Sequence, residues 1–343
     1  LKPCGLCADK FRRRRPRHTA RLRCAHPCMT TPESPPIHPS QPPVRAPLAV
    51  LPPPLRGVTA FVLLLVNTLW WCSLLFVLAL LRLLLPLPAV RRRLDPLLNA
   101  VATSWIAGNS GWMRLTQPTV WDVAGHTDLP YRGWYLVTCN HQSWTDIFVL
   151  QHVFNRRIPL LKFFLKQQLI YVPVMGLAWW ALDFPFMRRH SEEALRRHPE
   201  KRQQDLDATR RACAKFSLVP TSVMNFVEGT RFTPAKHAAQ GGRWQHLLPP
   251  KAGGLAMALA VLGERFESLV DVTIVYPDGA PRFWDFLCGR VPRVIVRVQR
   301  RDIPADCRRS DGSVDAPFRK RVHHWLLGLW DTKDAQIEAL RAR

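Results

Sequence analysis

The chemistry this chain can do centres on one short run, Cys139-Asn140-His141-Gln142-Ser143-Trp144-Thr145-Asp146, followed by the apolar stretch IFVLQHVF. An imidazole that acts as a base needs a partner to set its tautomer and to stabilise the imidazolium it becomes. Asp146, five residues after His141, can reach back to one ring nitrogen and leave the other for a substrate hydroxyl. The same residues admit a plainer reading. Ser143-Trp144-Thr145-Asp146 ahead of an apolar run resembles a capping box with an acid in the usual Glu or Gln place. Asp146 would then cap a helix, with or without aiming the histidine. Cys139 could form an acyl-enzyme with His141 as its base, but it reads as a small apolar strand residue, and Ser143 reads as a cap.

A second run, Asn225-Phe226-Val227-Glu228-Gly229-Thr230-Arg231, ends another apolar segment. Gly229 permits a tight turn with exposed backbone N–H groups, Thr230 adds a hydroxyl, and Arg231 adds a planar fork suited to phosphate. Alone this is a strand-end turn carrying an exposed arginine.

The two runs in this order resemble the glycerophospholipid acyltransferase family, of the 1-acylglycerol-3-phosphate acyltransferase type. Asn140, His141 and Asp146 match its NHxxxxD block, and Phe226, Glu228, Gly229, Thr230 and Arg231 its later Phe-x-Glu-Gly-Thr-Arg block. Between them, Lys166, Leu169, Pro173 and Gly176 fit a third block. Phe186-Met187-Arg188-Arg189 fits a fourth, and Val275-Tyr276-Pro277 a closing strand. Pro249-Pro250-Lys251-Ala252-Gly253-Gly254 looks most like the lysocardiolipin-type branch and its bacterial relatives. The resemblance implies that His141 is the general base, oriented by Asp146. It implies that Asn140, Lys166, Arg188, Arg189, Glu228, Gly229, Thr230 and Arg231 hold the glycerol-phosphate end of the acceptor. Arg188 and Arg189 are adjacent, so the block does not say which faces substrate, and Gln167 and Gln168 stand where relatives often carry a second basic residue. The donor would be acyl-CoA or acyl-carrier protein, with no metal or other cofactor, because a thioester is already activated and the hydroxyl need only be deprotonated in place.

Elements must bring these blocks together. Strand-like runs fall at residues 120–123, 135–139, 223–227, 270–275 and 291–298. Helix-like runs fall at 146–154, 192–198, 205–216, 254–262 and 316–329. Strands alternating with helices predict an α/β domain, a mixed β-sheet flanked by helices, over residues 119–343. A turn between the strand ending near Cys139 and the helix beginning near Asp146 would present His141 at the sheet's C-terminal edge, where such proteins hold ligands.

Residues 58–81 carry no charge. A helix of that length spans roughly 36 Å, against a hydrocarbon core of about 30 Å. Residues 57–118 therefore read as a membrane anchor with juxtamembrane helices, either one spanning helix or a hairpin dipping into one leaflet. Arg82, Arg91, Arg92 and Arg93 follow it and put the catalytic part on the cytoplasmic side, which for a bacterial relative means the inner membrane. The Trp179-Trp180 pair sits in a further apolar stretch and reads as core or membrane contact. Residues 1–56, rich in Arg and Pro, read as a disordered tail. Cys4, Cys7, Cys24 and Cys28 have a spacing that would admit zinc. No zinc is expected, because a start at Met29 would leave them outside the protein.

The net charge is +24, and residues 1–45 account for only +8 of it, with ten Lys/Arg against two Asp/Glu. The rest of the chain therefore also favours an anionic partner, here a membrane surface or a phosphorylated substrate. Nucleic acid is not expected, since no recognised motif accompanies the charge and an uncharged span of 24 residues argues against it. The expected reaction is transfer of an acyl group to the sn-2 hydroxyl of 1-acylglycerol 3-phosphate, giving phosphatidic acid. Another lysophospholipid or glycerol 3-phosphate is the alternative acceptor. A non-catalytic membrane lipid-binding protein is the alternative of another class.

Overall fold

The structure, a computed structural model, describes residues 46–125, 129–187 and 219–342. The expected helices at 192–198 and 205–216, the cysteines of residues 1–28, Arg188 and Arg189 lie outside the described residues.

Helix α1 (Pro53–Leu84) opens on a proline at its first turn, where a missing N–H costs nothing, and ends before Pro86. After Leu85-Pro86-Leu87 the chain turns back into α2 (Pro88–Thr116). Contacts in order along the two helices make them an antiparallel hairpin. Arg82 pairs with Asp95 at 3.0 Å near the turn, and Asn67 Nδ2 donates to Asn109 Oδ1 and to the Trp105 carbonyl, both at 2.9 Å. A Cβ on Gly108 would collide with Asn67, so glycine lets the helices close here. Among the described residues, α1 is the one helix long and apolar enough to cross a membrane. Its outward residues, among them Phe61, Leu65, Leu69, Val77, Leu80 and Leu84, recur at helical spacing and stay exposed.

Helix α1 begins at Pro53, ahead of the boundary expected at residue 57. A 3-10 turn (Pro47–Val50) precedes it. Arg56, expected in the tail, is buried and donates to the Ala49 and Leu51 carbonyls at 2.7 and 3.0 Å.

The sheet has six strands in the order β1-β8-β7-β2-β6-β3: β1 (Val120–Ala124), β2 (Tyr135–Cys139), β3 (Leu161–Phe163), β6 (Ser222–Asn225), β7 (Ser268–Val275) and β8 (Arg293–Arg301). All neighbours are parallel except β7 and β8, so the sheet is mixed, as expected. Two-residue strands β4 (Leu165–Lys166) and β5 (Phe186–Met187) pair separately. Alternate residues feed two cores. Tyr135, Val137, Cys139, Val270 and Val272 pack with α2 and α3 (Thr145–Phe154), and with α7 (Phe283–Leu287). Leu136, Val223 and Leu269 pack with α6 (Ala252–Leu262) and α8 (Ala316–Arg341). Short helices α4 (Met175–Ala181) and α5 (Pro234–Ala239) complete the described set.

Candidate active site

Central strand β2 and its neighbour β6 run parallel with Thr138 level with Asn225. Three residues further along each strand lie His141 and Glu228, so motifs 87 residues apart leave the sheet at one edge. There the His141 N–H donates to Glu228 Oε1 at 2.8 Å, and the His141 carbonyl accepts from the Phe232 N–H at 2.7 Å. The imidazole lies flat on Phe226, ring centroids 3.9 Å apart and planes 16° apart, and Phe163 of β3 stacks on Phe226 in turn. The histidine loop is thus gripped through its backbone and its ring by the second motif.

Asp146 is fully buried in the first turn of α3. Its Oδ2 accepts from the Gln142 and Ser143 N–H groups at 2.7 and 2.9 Å and lies 2.8 Å from His141 Nδ1. Its Oδ1 accepts from the Tyr276 hydroxyl at 2.7 Å. Two backbone donors on Oδ2 make that oxygen an acceptor, so Nδ1 carries the proton toward it and Nε2 holds the lone pair. Among the described residues nothing hydrogen-bonds Nε2, and the His141 side chain retains 13% exposure. The capping reading also holds: Asp146 accepts the Ser143 N–H, as the fourth residue of such a box does, while Trp144 itself makes no side-chain cap. Ser143 does accept the Thr145 N–H at 3.1 Å, but its own hydroxyl donates to the Pro281 carbonyl at 2.6 Å. Burial pushes the Cys139 thiol well above its ordinary value, which disfavours a thiolate nucleophile.

The sequence reading gives Asn140 and Glu228 to the substrate. In the structure both are buried and their polar atoms are taken up inside the protein. Asn140 donates to the Ile274 carbonyl at 2.8 Å and accepts from the Ile274 N–H at 2.9 Å, tying the end of β2 to β7. Glu228 Oε2 accepts the Leu248 N–H at 3.1 Å. Burial pushes the Glu228 carboxyl up to about 8 against the opposing effect of its backbone donors. Each therefore holds a loop of the site in place.

Gly229, Thr230 and Arg231 face outward from the same turn. Gly229 has φ +70°, a left-handed conformation that glycine takes without strain. The Arg231 guanidinium sits 5.0 Å from the ring centre of exposed Trp144, a second link between the two motifs. Lys236 Nζ donates to Thr230 Oγ1 at 2.7 Å and to the Arg231 carbonyl at 3.1 Å, so a second cation stands on this turn. Lys166 is exposed on β4, three residues beyond Phe163, and level with Met187, which immediately precedes Arg188. Phe226, Trp144, Lys236 and Tyr276 were given no role by sequence reasoning. Phe226 and Tyr276 lie within matched blocks and Trp144 between the paired residues, but Lys236, six residues past Thr230, carries no local signal.

Below β2 and β7 lies a buried charge pair. Lys333 of α8, fully enclosed, meets Asp271 at 2.7 Å and donates to the Val272 carbonyl at 2.6 Å, while Thr138 donates to Asp271 at 3.2 Å.

The family model for Acyltransferase matches residues 121–277. The human 1-acyl-sn-glycerol-3-phosphate acyltransferase gamma is 29% identical over 188 residues, 50% of this chain and 44% of that protein. The yeast (Saccharomyces cerevisiae) 2-acyl-1-lysophosphatidylinositol acyltransferase is 23% identical over 248 residues, 58% of this chain and 59% of that protein. The chain thus spans about half the length of the curated relatives it matches. The crystal structure of the 1-acyl-sn-glycerophosphate (LPA) acyltransferase from Thermotoga maritima aligns with TM-score 0.47 and 16% identity, over 84% of this chain and 99% of that one. The His141–Asp146 pair and the Glu228 turn both fall inside the segment that matches the Acyltransferase family model.

Proposed function

We propose that the protein transfers a fatty acyl group from acyl-CoA or acyl-carrier protein to the sn-2 hydroxyl of 1-acylglycerol 3-phosphate. The observation that carries this reading is the His141–Asp146 pair, with Nδ1–H held by the carboxylate and Nε2 open, beside the Arg231 and Lys236 cations on the neighbouring turn. Nε2 takes the proton as the acceptor oxygen bonds to the thioester carbonyl carbon. When the tetrahedral intermediate collapses, the C–S bond breaks and the imidazolium returns the proton to the departing thiolate. General-base help of this kind is worth about 10²–10⁴-fold. Arg231, Lys236, Thr230 and the exposed Lys166 hold the phosphate.

The apolar face of α1 and the arginines after it support action at a bilayer, at the cytoplasmic face of a bacterial inner membrane. The yeast relative's name makes lysophosphatidylinositol the competing acceptor. A panel of lysophospholipids and glycerol 3-phosphate with a labelled acyl donor, run beside His141→Ala, tests the reading. Transfer to lysophosphatidate should dominate and fall about 10²–10⁴-fold in the variant. Unchanged transfer in the variant would rule out the mechanism, and lipid binding without thiol release would rule out the enzyme.

A further inference from the structure

Residues 169–182, LIYVPVMGLAWWAL, form a stretch without a charged side chain, immediately after Lys166. Such a stretch in a water-soluble protein is normally buried, but here five of its fourteen residues are exposed. Ala178 and Ala181 pack against Cys72 and Leu75 of α1 and Leu98 and Val101 of α2. The opposite face of α4 presents Leu177 and Trp180, each about half exposed, and the turn before it presents Tyr171 at 82% exposure.

The turn is built to hold these groups out. Val174 adopts φ +63°, a strained conformation for a β-branched residue, and strain of this kind persists only where the surroundings impose it. The Met175 N–H closes the turn on the Pro173 carbonyl at 2.6 Å. Gly176 lies so close to the Ile170 carbonyl that any Cβ would overlap it. Arg82 fastens the far end, donating to the Asp183 carboxylate at 2.6 Å and to the Ala181 carbonyl at 3.1 Å while pairing with Asp95 at 3.0 Å. One arginine therefore locks α4 to the hairpin whose outward face is the apolar stripe of α1.

From this continuity we infer that Tyr171, Leu177 and Trp180 form a second membrane-contact surface, a lip that enters the bilayer interface next to α1. Its chemistry is that of an interfacial segment, with aromatic rings carrying one polar atom among aliphatic side chains and no charge to desolvate. Four residues separate Lys166 from Tyr171, so the lip sets the phosphate-binding end of the site at headgroup level. It lets the site take an acceptor that is still embedded in the leaflet. This inference rests on the acyltransferase reading above.

Two measurements on the full chain test it. The first is photolabelling on vesicles of phosphatidylcholine and phosphatidylglycerol that contain a phosphatidylcholine with a diazirine in its acyl chain. No Lys or Arg lies between Lys166 and Arg188, so one tryptic peptide reports the whole lip. It should carry label along with the peptides of α1. Label confined to α1, or a cross-link between two copies through residues 171–180, overturns the proposal. The second compares Tyr171→Ser/Leu177→Ser/Trp180→Ser with wild type on two acceptors, long-chain lysophosphatidate in vesicles and a short-chain monomeric lysophosphatidate in solution. Loss of the buried apolar area should lower the vesicle rate by about tenfold or more and leave the soluble rate within about twofold. An equal fall on both acceptors, or none on either, overturns the lip. Wild type inactive toward both acceptors would instead refute the acyltransferase reading, while the photolabel still reports on the lip.

Discussion

The Tyr276 hydroxyl donates at 2.7 Å to the Asp146 oxygen that His141 does not use. The carboxylate is thereby held from both ends, by the histidine loop on Oδ2 and by the residue following β7 on Oδ1. Removing the hydroxyl should cost about 1.5–3 kcal/mol as a lost hydrogen bond to a charged group. In Tyr276→Phe we expect kcat to fall by about tenfold with KM for the acceptor little changed, because the variant loosens the base and leaves the phosphate turn intact. Steady-state kinetics beside chemical denaturation separates the two effects. A KM change with constant kcat would contradict this role.

Glu228 gives a pH prediction with a definite sign. Its folded pKa is raised to about 8 from an ordinary value of 4.5, first by burial. Between those values the folded state keeps a proton that the unfolded state has released, so stability contributed by this group is present below the unfolded value and declines as pH rises toward 8. Glu228→Gln, which cannot ionise, should flatten that slope. Melting temperatures of both proteins across this window, taken as a difference at each pH, check it. Parallel curves would refute it.

In the proposed reading Arg231 holds phosphate, and its guanidinium lies 5.0 Å from the ring centre of Trp144. Arg231→Ala should raise KM for lysophosphatidate by about tenfold, the worth of one charge-assisted contact. Arg231→Lys should recover only part of it, because a lysine keeps the charge and loses the fork and the stacking. Acceptor titrations at saturating donor measure both, and full recovery by lysine would show that charge alone matters.

The buried Lys333–Asp271 pair supports the strand edge on which the site is built. Lys333→Met removes the nearer of two cations at Asp271, leaving Arg301 at 3.4 Å, and should cost up to about 3–5 kcal/mol of stability. Adding Asp271→Asn should restore a good part of that, which denaturant unfolding of the single and double variants will show.

Much of the site was legible in the sequence because it is local. His141 and Asp146 are five residues apart, and the apolar runs on either side of them mark a strand and a helix, so the turn that joins them follows from periodicity. The boundaries of β2 at Tyr135–Cys139 and of α6 near Leu262 follow from the same patterning. The uncharged run of residues 58–81 likewise declares a helix that seeks lipid. Some elements are too short to have a period. The strands β3, β4 and β5 hold three or two residues each and become visible only through their partners.

The sequence by itself determined which residue types stand at each motif and that strands would carry them to an edge. Only the tertiary structure decided what each one does. Strand register, a pairing across 87 residues, sets Glu228 under the His141 backbone. Desolvation then turns both Glu228 and Asn140 inward, since a buried polar group must find a partner. The hairpin depends on Asn67 meeting Asn109 and on Gly108 yielding space, contacts no local pattern announces. His141 and Asp146 are neighbours in sequence, but the oxygen that completes their geometry comes from Tyr276, 130 residues away, and such a contact exists only once the sheet has formed.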